Sequence, residues 1–411
     1  MLIHWIWLTT RTGLSDRVRK DLLEHFRDPE DMYFAAADAF DYLEDLTQEN
    51  RETLADKDLS EARQILDRCL RSDIHILTYR DAAYPVRLKN IPDPPMVLYY
   101  RGNLPDCDAS PLIGVVGTRK AAAYGLGVAK RMGYQIAKCG GIVVSGMASG
   151  IDGAAMQAAL TAGGCDIGVL GCGVDVVYPL SNRGLYADAE RYGCLISEFP
   201  PGSAPEGWHF PKRNRIISGL SCGVLVVEAP LGSGSLITAR SAADQGRDVF
   251  AVPGNIDVPS FVGSNQLIRE GASLVTTGWE IMCEYEAQYP DKIIRENAPA
   301  KQAGYPDEAA KSAETGRRPE KSGKKQSSAP DNMKKVIDNS GSAPYSDVNK
   351  PKPALSETEQ RIVNALTKEP RLVDDVIAET GLPAAGVLSA LTMLEIRGIV
   401  TRHPGKRISL K

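Results

Sequence analysis

The sequence predicts an α/β protein built on a Rossmann-like, doubly wound, mostly parallel sheet, with a helical domain before it and a winged-helix pattern after it. Three observations carry this. From 112 to about 285 the chain repeats strand, glycine turn, helix. The strand candidates are near-continuous apolar runs, as strands covered on both faces require. The segments between them read as helices, and that alternation argues for a doubly wound parallel sheet.

Residues 1–75 read as a small helical domain (SAM/HhH-like). Met1–Leu8 is apolar but lacks a basic leader and a small-residue cleavage site, so it reads as a core helix and not a signal peptide. Ser15 and Asp16 precede the stripe Val18, Leu22, Leu23 and Phe26. Asp58-Leu59-Ser60 opens a second helix with Ile65, Leu66 and Leu70 on one side. Ile74–Thr78 is a strand, and prolines stiffen the path to Val97–Tyr100.

The core is assigned to 76–285. Its parallel strands are placed at Leu112–Val116, Ile142–Ser145, Ile167–Leu170, Cys194–Glu198, Val224–Glu228, Val249–Val252 and Leu274–Thr276. Helices are placed at Gly125–Lys138, Ala154–Ala162 and Leu236–Gln245. Residues 286–353, rich in Pro, Lys, Glu, Ser, Ala and Asp, read as a flexible linker. In 354–411 a capping box, Ser356-x-x-Glu359, starts a helix. Leu372–Thr380 is a second helix stopped by Gly381, a third runs from Pro383 to Leu394, and a two-stranded hairpin follows. The third helix offers Ala384, Ala385, Ser389 and Ala390 where a base-reading helix offers Arg, Asn or Gln, which favours a protein-contact or vestigial role over DNA contact there.

Composition bounds the function. Net charge is −4 over 411 residues, so any polyanion must be met by a local patch. The eight cysteines include no CxxC pair and no zinc spacing, and they read as buried reduced thiols of a cytoplasmic protein. No apolar run is long enough to span a bilayer. There is no GxxxxGK[ST], no third glycine after Gly171-Cys172-Gly173, no GxSxG and no HExxH, so no catalytic residue, metal or cofactor is assigned.

The remaining candidates bind phosphate. Phe210-Pro211-Lys212-Arg213-Asn214-Arg215 is expected at the mouth of a helix, where unsatisfied N–H groups and the helix dipole add to three cations. Gly117 and Arg119 end the first sheet strand. Ser145-Gly146, ahead of Gly150-Ile151-Asp152-Gly153, is expected to cup an anion with backbone N–H groups. Gly234 and Ser235 open a later helix. Each glycine turn alone is often a packing device. Three on one sheet edge, with the cations, make a phosphate-binding rim. Asp152, Asp175, Glu198 and Glu228 near strand ends are read as arginine partners and helix caps. Phe210 is read as a core anchor at a helix entry that could also stack a base.

These residues resemble the DNA-processing protein A (DprA/Smf) family. The resemblance runs through Val116-Gly117-Thr118-Arg119, Ser145-Gly146 with Gly150-Ile151-Asp152, Gly171-Cys172-Gly173 with Tyr178-Pro179, and Ser197-Glu198-Phe199-Pro200. It continues through Phe210-Pro211-x-Arg213-Asn214-Arg215, Ser233–Ala239 and Gly246-Arg247-Asp248-Val249. It implies a non-enzymatic protein that binds single-stranded DNA without sequence preference, dimerises, and hands the strand to RecA recombinase in natural transformation. On matching positions the strand would meet Arg119, the Ser145-Gly146 loop, Lys212, Arg213, Arg215 and the Gly234-Ser235 loop. The family usually has Arg at Ser149 and His at Met156, so here that loop is left with backbone donors. The glycine loops also resemble lysine-decarboxylase-like phosphoribohydrolases, which gives an alternative reading as a nucleotide-processing or nucleotide-sensing protein using Glu228. A winged-helix transcription regulator is a third reading, disfavoured by the neutral third helix.

Overall fold

The computed structural model describes residues 1–41, 43, 46–298, 357–367, 369–382, 387, 390, 391, 394, 399–403 and 407–410. The chain divides into two compact units, Met1–Glu314 and Thr315–Lys411.

The first unit opens with helices α1 (Leu2–Thr10), α2 (Asp16–His25), α3 (Pro29–Phe34), α4 (Gln48–Ala55) and α5 (Ser60–Arg71). Ser15 caps α2 by accepting from the Val18 N–H at 3.2 Å. A hairpin-like pair follows, β1 (His75–Thr78) and β2 (Val97–Gly102), with a short α6 (Val86–Lys89) between them. The wound part then runs β3 (Leu112–Val116), α7 (Ala123–Lys138), β4 (Ile142–Ser145), α8 (Ile151–Thr161), β5 (Asp166–Val169), α9 (Arg183–Tyr192) and β6 (Cys194–Ser197). It returns through α10 (His209–Leu220), β7 (Gly223–Val226), α11 (Gly234–Asp244), β8 (Asp248–Ala251), α12 (Val262–Arg269), β9 (Ser273–Leu274) and α13 (Gly278–Met282).

The nine strands lie in the order β1-β2-β6-β5-β4-β3-β7-β8-β9. From β6 to β9 all neighbours are parallel, and β2 and β1 add an antiparallel edge. Strand order reverses at β3, so a crevice opens at the carboxyl ends of β3 and β7. Side chains alternate between the sheet faces. Ile113, Val115 and Val143 join a core with Val128 and Met132 of α7 and Ala155 and Met156 of α8. Leu112, Val116 and Val144 join the opposite core with Ile216 and Leu220 of α10 and Leu236 of α11. Met156, at one of the positions where the family pattern is broken, is wholly buried in the first core.

The first unit extends past 285. Tyr289 and Ile293 are buried in its core, so the chain still packs on this unit after 285, where a linker was expected. The rest of the expected linker, 299–353, lies outside the described residues. In the second unit α14 (Glu357–Ala365), β10 (Arg371–Leu372), α15 (Val373–Thr380), β11 (Val400–His403) and β12 (Arg407–Leu410) surround Ile362, Val376, Leu394 and Ile408. Gly381 ends α15 at φ 62, as expected. The expected hairpin gains a third strand, in the order β10-β12-β11. Ser356 and most of the third helix, including Ala384, Ala385 and Ser389, lie outside the described residues. Among the described residues no helix is long and apolar enough to cross a membrane. All eight cysteines are free, and six are buried.

A buried ionic cluster fastens α2 to α10. Arg215 reaches Asp16 at 2.9 Å, Glu198 at 2.6 Å and Asp93 at 3.1 Å. Lys212 reaches Asp16 at 3.2 Å and Glu198 at 3.4 Å. Arg19 closes the set on Asp16 at 2.7 Å. Burial raises the Asp16 carboxyl, but Lys212, Arg215 and Arg19 together hold it below the ordinary range. Removing one member leaves charges in a dry site. Arg215→Met is therefore expected to lower the unfolding free energy by about 3–5 kcal/mol. An unchanged urea midpoint would show that the cluster carries no such load.

Asp166, first residue of β5, is fully buried and neither carboxyl oxygen has a partner. Burial pushes its pKa well above the ordinary carboxylate value. The unfolded chain ionises this group near pH 4 and the folded chain does not, so folding loses stability as pH rises from there towards the folded pKa. Asp166→Asn removes that loss. Its melting temperature should exceed the parent's at pH 7 and converge with it towards pH 4, and equal melting curves at both pH values would refute the assignment.

Candidate nucleic-acid interface

The crevice at the end of β3 is a cleft of about 520 Å³. Its floor is Val116 and Gly117, and its walls come from Arg119 and Lys120, from Arg213 and Asn214 of α10, and from Ser233–Ser235. A second cavity of about 120 Å³ adjoins it, lined by Gly146, Ser149, Tyr178 and Tyr186. Arg119, Ala148, Phe210 and Arg213 line both.

Gly117 lets the floor close. A Cβ there would stand 2.5 Å from a side-chain carbon of Ile151 at the start of α8. The exposed Arg119 guanidinium lies 5.0 Å over the Phe210 ring. Phe210 sits beside Tyr178, with ring centroids 5.6 Å apart. An exposed cation and the Phe210 ring thus share the cleft wall, and the Tyr178 ring beside it lines the adjoining cavity.

Arg213 is 4% exposed, yet it faces both cavities. One guanidinium nitrogen donates to the Val169 carbonyl at the end of β5, and Nε has no partner. Gly146 admits this group, since a Cβ at 146 would collide with it. Burial lowers the Arg213 pKa against the pull of Asp152. Burial raises the Asp152 carboxyl against the pull of Arg213 and the Gly146 N–H. A buried cation held by a neutral carbonyl at the edge of a cavity is a place where an arriving anion recovers what burial cost.

The expected single cluster at a helix mouth is not what the chain builds. α10 begins at His209, so Lys212–Arg215 lie inside the helix. At about 100° per residue, Lys212 and Arg215 share one stripe and Arg213 points elsewhere. Lys212 and Arg215 face Asp16, Glu198 and Asp93, away from the cleft, and their charge is spent in the α2–α10 cluster. Two further expectations are corrected. The Ser145 hydroxyl is buried and donates to the Val115 carbonyl at 2.6 Å, so it bridges strands. The Gly146 N–H donates to Asp152 at 3.1 Å and does not point into an open cup.

The remaining candidates do meet. Asn214 donates to the Gly234 carbonyl at 3.3 Å, which ties α10 to the start of α11. Ser233 caps Ser235 N–H at 3.3 Å, and Ser235 lines the cleft. The strand-end carboxylates act as partners and caps. Asp175 accepts from Arg68 at 2.7 Å and from the Gly202 N–H at 2.7 Å. Glu228 is fully buried and accepts the Ala122 N–H at 3.2 Å ahead of α7. Sequence reasoning passed over Lys120 as a site residue, next to Arg119 in the same acid-free loop, and Tyr178, whose ring lines the adjoining cavity beside Phe210. Lys120 carried a legible signal, a second cation at a strand's carboxyl end.

Comparison with known proteins agrees with this architecture. A family model described as DNA recombination-mediator protein A matches residues 75–286, and one described as DprA winged helix domain matches 347–406. Protein Smf of Synechocystis is 32% identical over 98% of this chain and 97% of its own length. DNA processing protein DprA of Bacillus subtilis is 44% identical over 51% of this chain and 71% of its own. The crystal structure of DprA from Streptococcus pneumoniae superposes with a TM-score of 0.62 at 34% identity, covering 69% of this chain and 98% of that one. A match to the mediator model over half the chain, together with a relative similar along nearly its whole length, places this chain in the DNA recombination-mediator protein A (DprA/Smf) family.

Proposed function

We propose that the β3–β7 cleft binds single-stranded DNA through its phosphates, without sequence preference. In this reading the protein acts as a cytoplasmic homodimer that delivers the strand to RecA recombinase during DNA uptake and natural transformation. The observation that carries the binding step is the pairing of Arg119, exposed and seated on Phe210, with the partly unsatisfied Arg213 in one cleft. A phosphate between them gains two guanidinium partners, and an aromatic wall accepts any base. The family model's description as a DNA recombination mediator supports a role on DNA, and the RecA step extends that reading. A nucleotide-processing reading would need Glu228 as an acid or base, and that carboxylate is turned into the start of α7.

Phosphate-dominated binding weakens with salt, by about 0.7 in log–log slope per contact on a single strand. Arg119→Ala should weaken oligonucleotides of all sequences alike, by about tenfold, and reduce the slope by about 0.7. Unchanged affinity and slope in fluorescence anisotropy would refute the cleft. Arg213→Ala is expected to weaken binding as well, but it also frees the Val169 carbonyl, so Arg119→Ala is the decisive variant. The delivery step predicts faster RecA filament assembly on a single strand when this protein is added, and an unaltered lag would overturn it.

A further inference from the structure

A second cationic surface lies outside the cleft. It is a groove of about 860 Å³ between α7 and α8. Lys130, Tyr134 and Lys138 stand at successive i,i+4 positions, a stripe about 12 Å long, with Arg131 beside it. Lys130 and Arg131 are exposed, and the Tyr134 ring is 44% exposed with the Lys138 ammonium 5.7 Å from its centre. The α8 wall is short and neutral, formed by Ala154, Gln157, Ala158 and Thr161. The helices can lie this close because Gly133 packs on the Ala155 backbone.

The groove has no counter-charge of its own. The chain holds 52 Asp and Glu, yet between Asp108 and Asp166 only Asp152 occurs, and it is buried against Arg213. Among the described residues, none of Lys130, Arg131 and Lys138 forms an ion pair. The cations here are thus uncompensated, unlike those of the α2–α10 cluster. The groove also starts close to the cleft along the chain. Ala148 lines the cleft, α8 begins three residues later, and Ala154 of its first turn lines the groove.

We propose that the α7–α8 groove is a second contact for a single nucleic-acid strand, guiding the segment that leaves the β3–β7 cleft. This rests on the cleft reading above. Exposed cations interleaved with a tyrosine face suit a phosphate spine with bases stacking in passing. The short neutral wall offers no anchored pocket for a specific acidic peptide.

The test uses the full chain and two oligothymidylates, one of about four nucleotides, at the lower end of a single-site size, and one of about 24. Lys130, Arg131 and Lys138 are changed together to Gln, all on the surface. The triple variant should bind the short strand as the parent does. It should bind the long strand about tenfold or more weakly, with the salt slope reduced by about 2. Parent-like affinity and slope on the long strand, alongside a weakened Arg119→Ala variant, overturn the groove and spare the cleft. A weakened triple variant with an unaffected Arg119→Ala variant overturns the cleft and not the groove's contact with the strand. Polyglutamate binding that the triple substitution abolishes while long-strand binding stays intact would assign the groove to acidic protein segments and overturn the proposal.

Discussion

The contact from Arg213 to the Val169 carbonyl organises the site. It reaches from α10 across the carboxyl end of the sheet to β5 and passes over Gly146 at the end of β4. One side chain thereby registers a helix against strands from two different crossovers. The contact is incomplete by design of the surroundings: Val169 supplies a neutral acceptor, Asp152 is near but raised by burial, and Nε is unpaired. A wholly satisfied arginine would be structural only. A partly satisfied one, facing two cavities, is both a strut and a receptor for negative charge.

α10 divides its cations between two tasks because of helical geometry. Lys212 and Arg215 face the N-terminal helices and are neutralised by Asp16, Glu198 and Asp93. Arg213 and Asn214 face the cleft. The first group fixes the helix from behind, and the second can then hold a guanidinium in a strained electrostatic position without the helix drifting. The ion cluster is thus remote from the cleft wall and still a condition for it.

The sheet was legible because its strands are buried on both faces. Apolar runs end where the sheet ends, and β3 and β4 fall on the expected residues. α9 and α12 were not placed, since Arg183–Tyr192 and Val262–Arg269 are half polar and cover the sheet with few large side chains. The site was legible by type and not by direction. Read along the chain, Lys212, Arg213 and Arg215 are neighbours; wound into a helix, they part. Asp16, the partner that claims Arg215, lies 199 residues away, and only the tertiary fold brings them together. The Ser145-Gly146 cup was misjudged for the same reason, because Val115 and Asp152 reach Ser145 and the Gly146 N–H through the fold.

A net charge of −4 opposes a polyanion globally, but the sign is sorted by position. The acids are absent from the chain between Asp108 and Asp166 save one, and that stretch supplies β3, the Arg119–Lys120 loop, α7, β4 and α8. Doubly wound topology brings exactly such consecutive crossovers onto one face and one rim. The acids elsewhere are partly occupied, as Asp16, Glu198 and Asp175 show. Fields from surface charges fade over about 8 Å at physiological ionic strength, so a strand at this rim senses the local excess and little of the global deficit. Charge sorting along the sequence therefore becomes charge sorting in space, through nothing more than the order in which the strands are laid down.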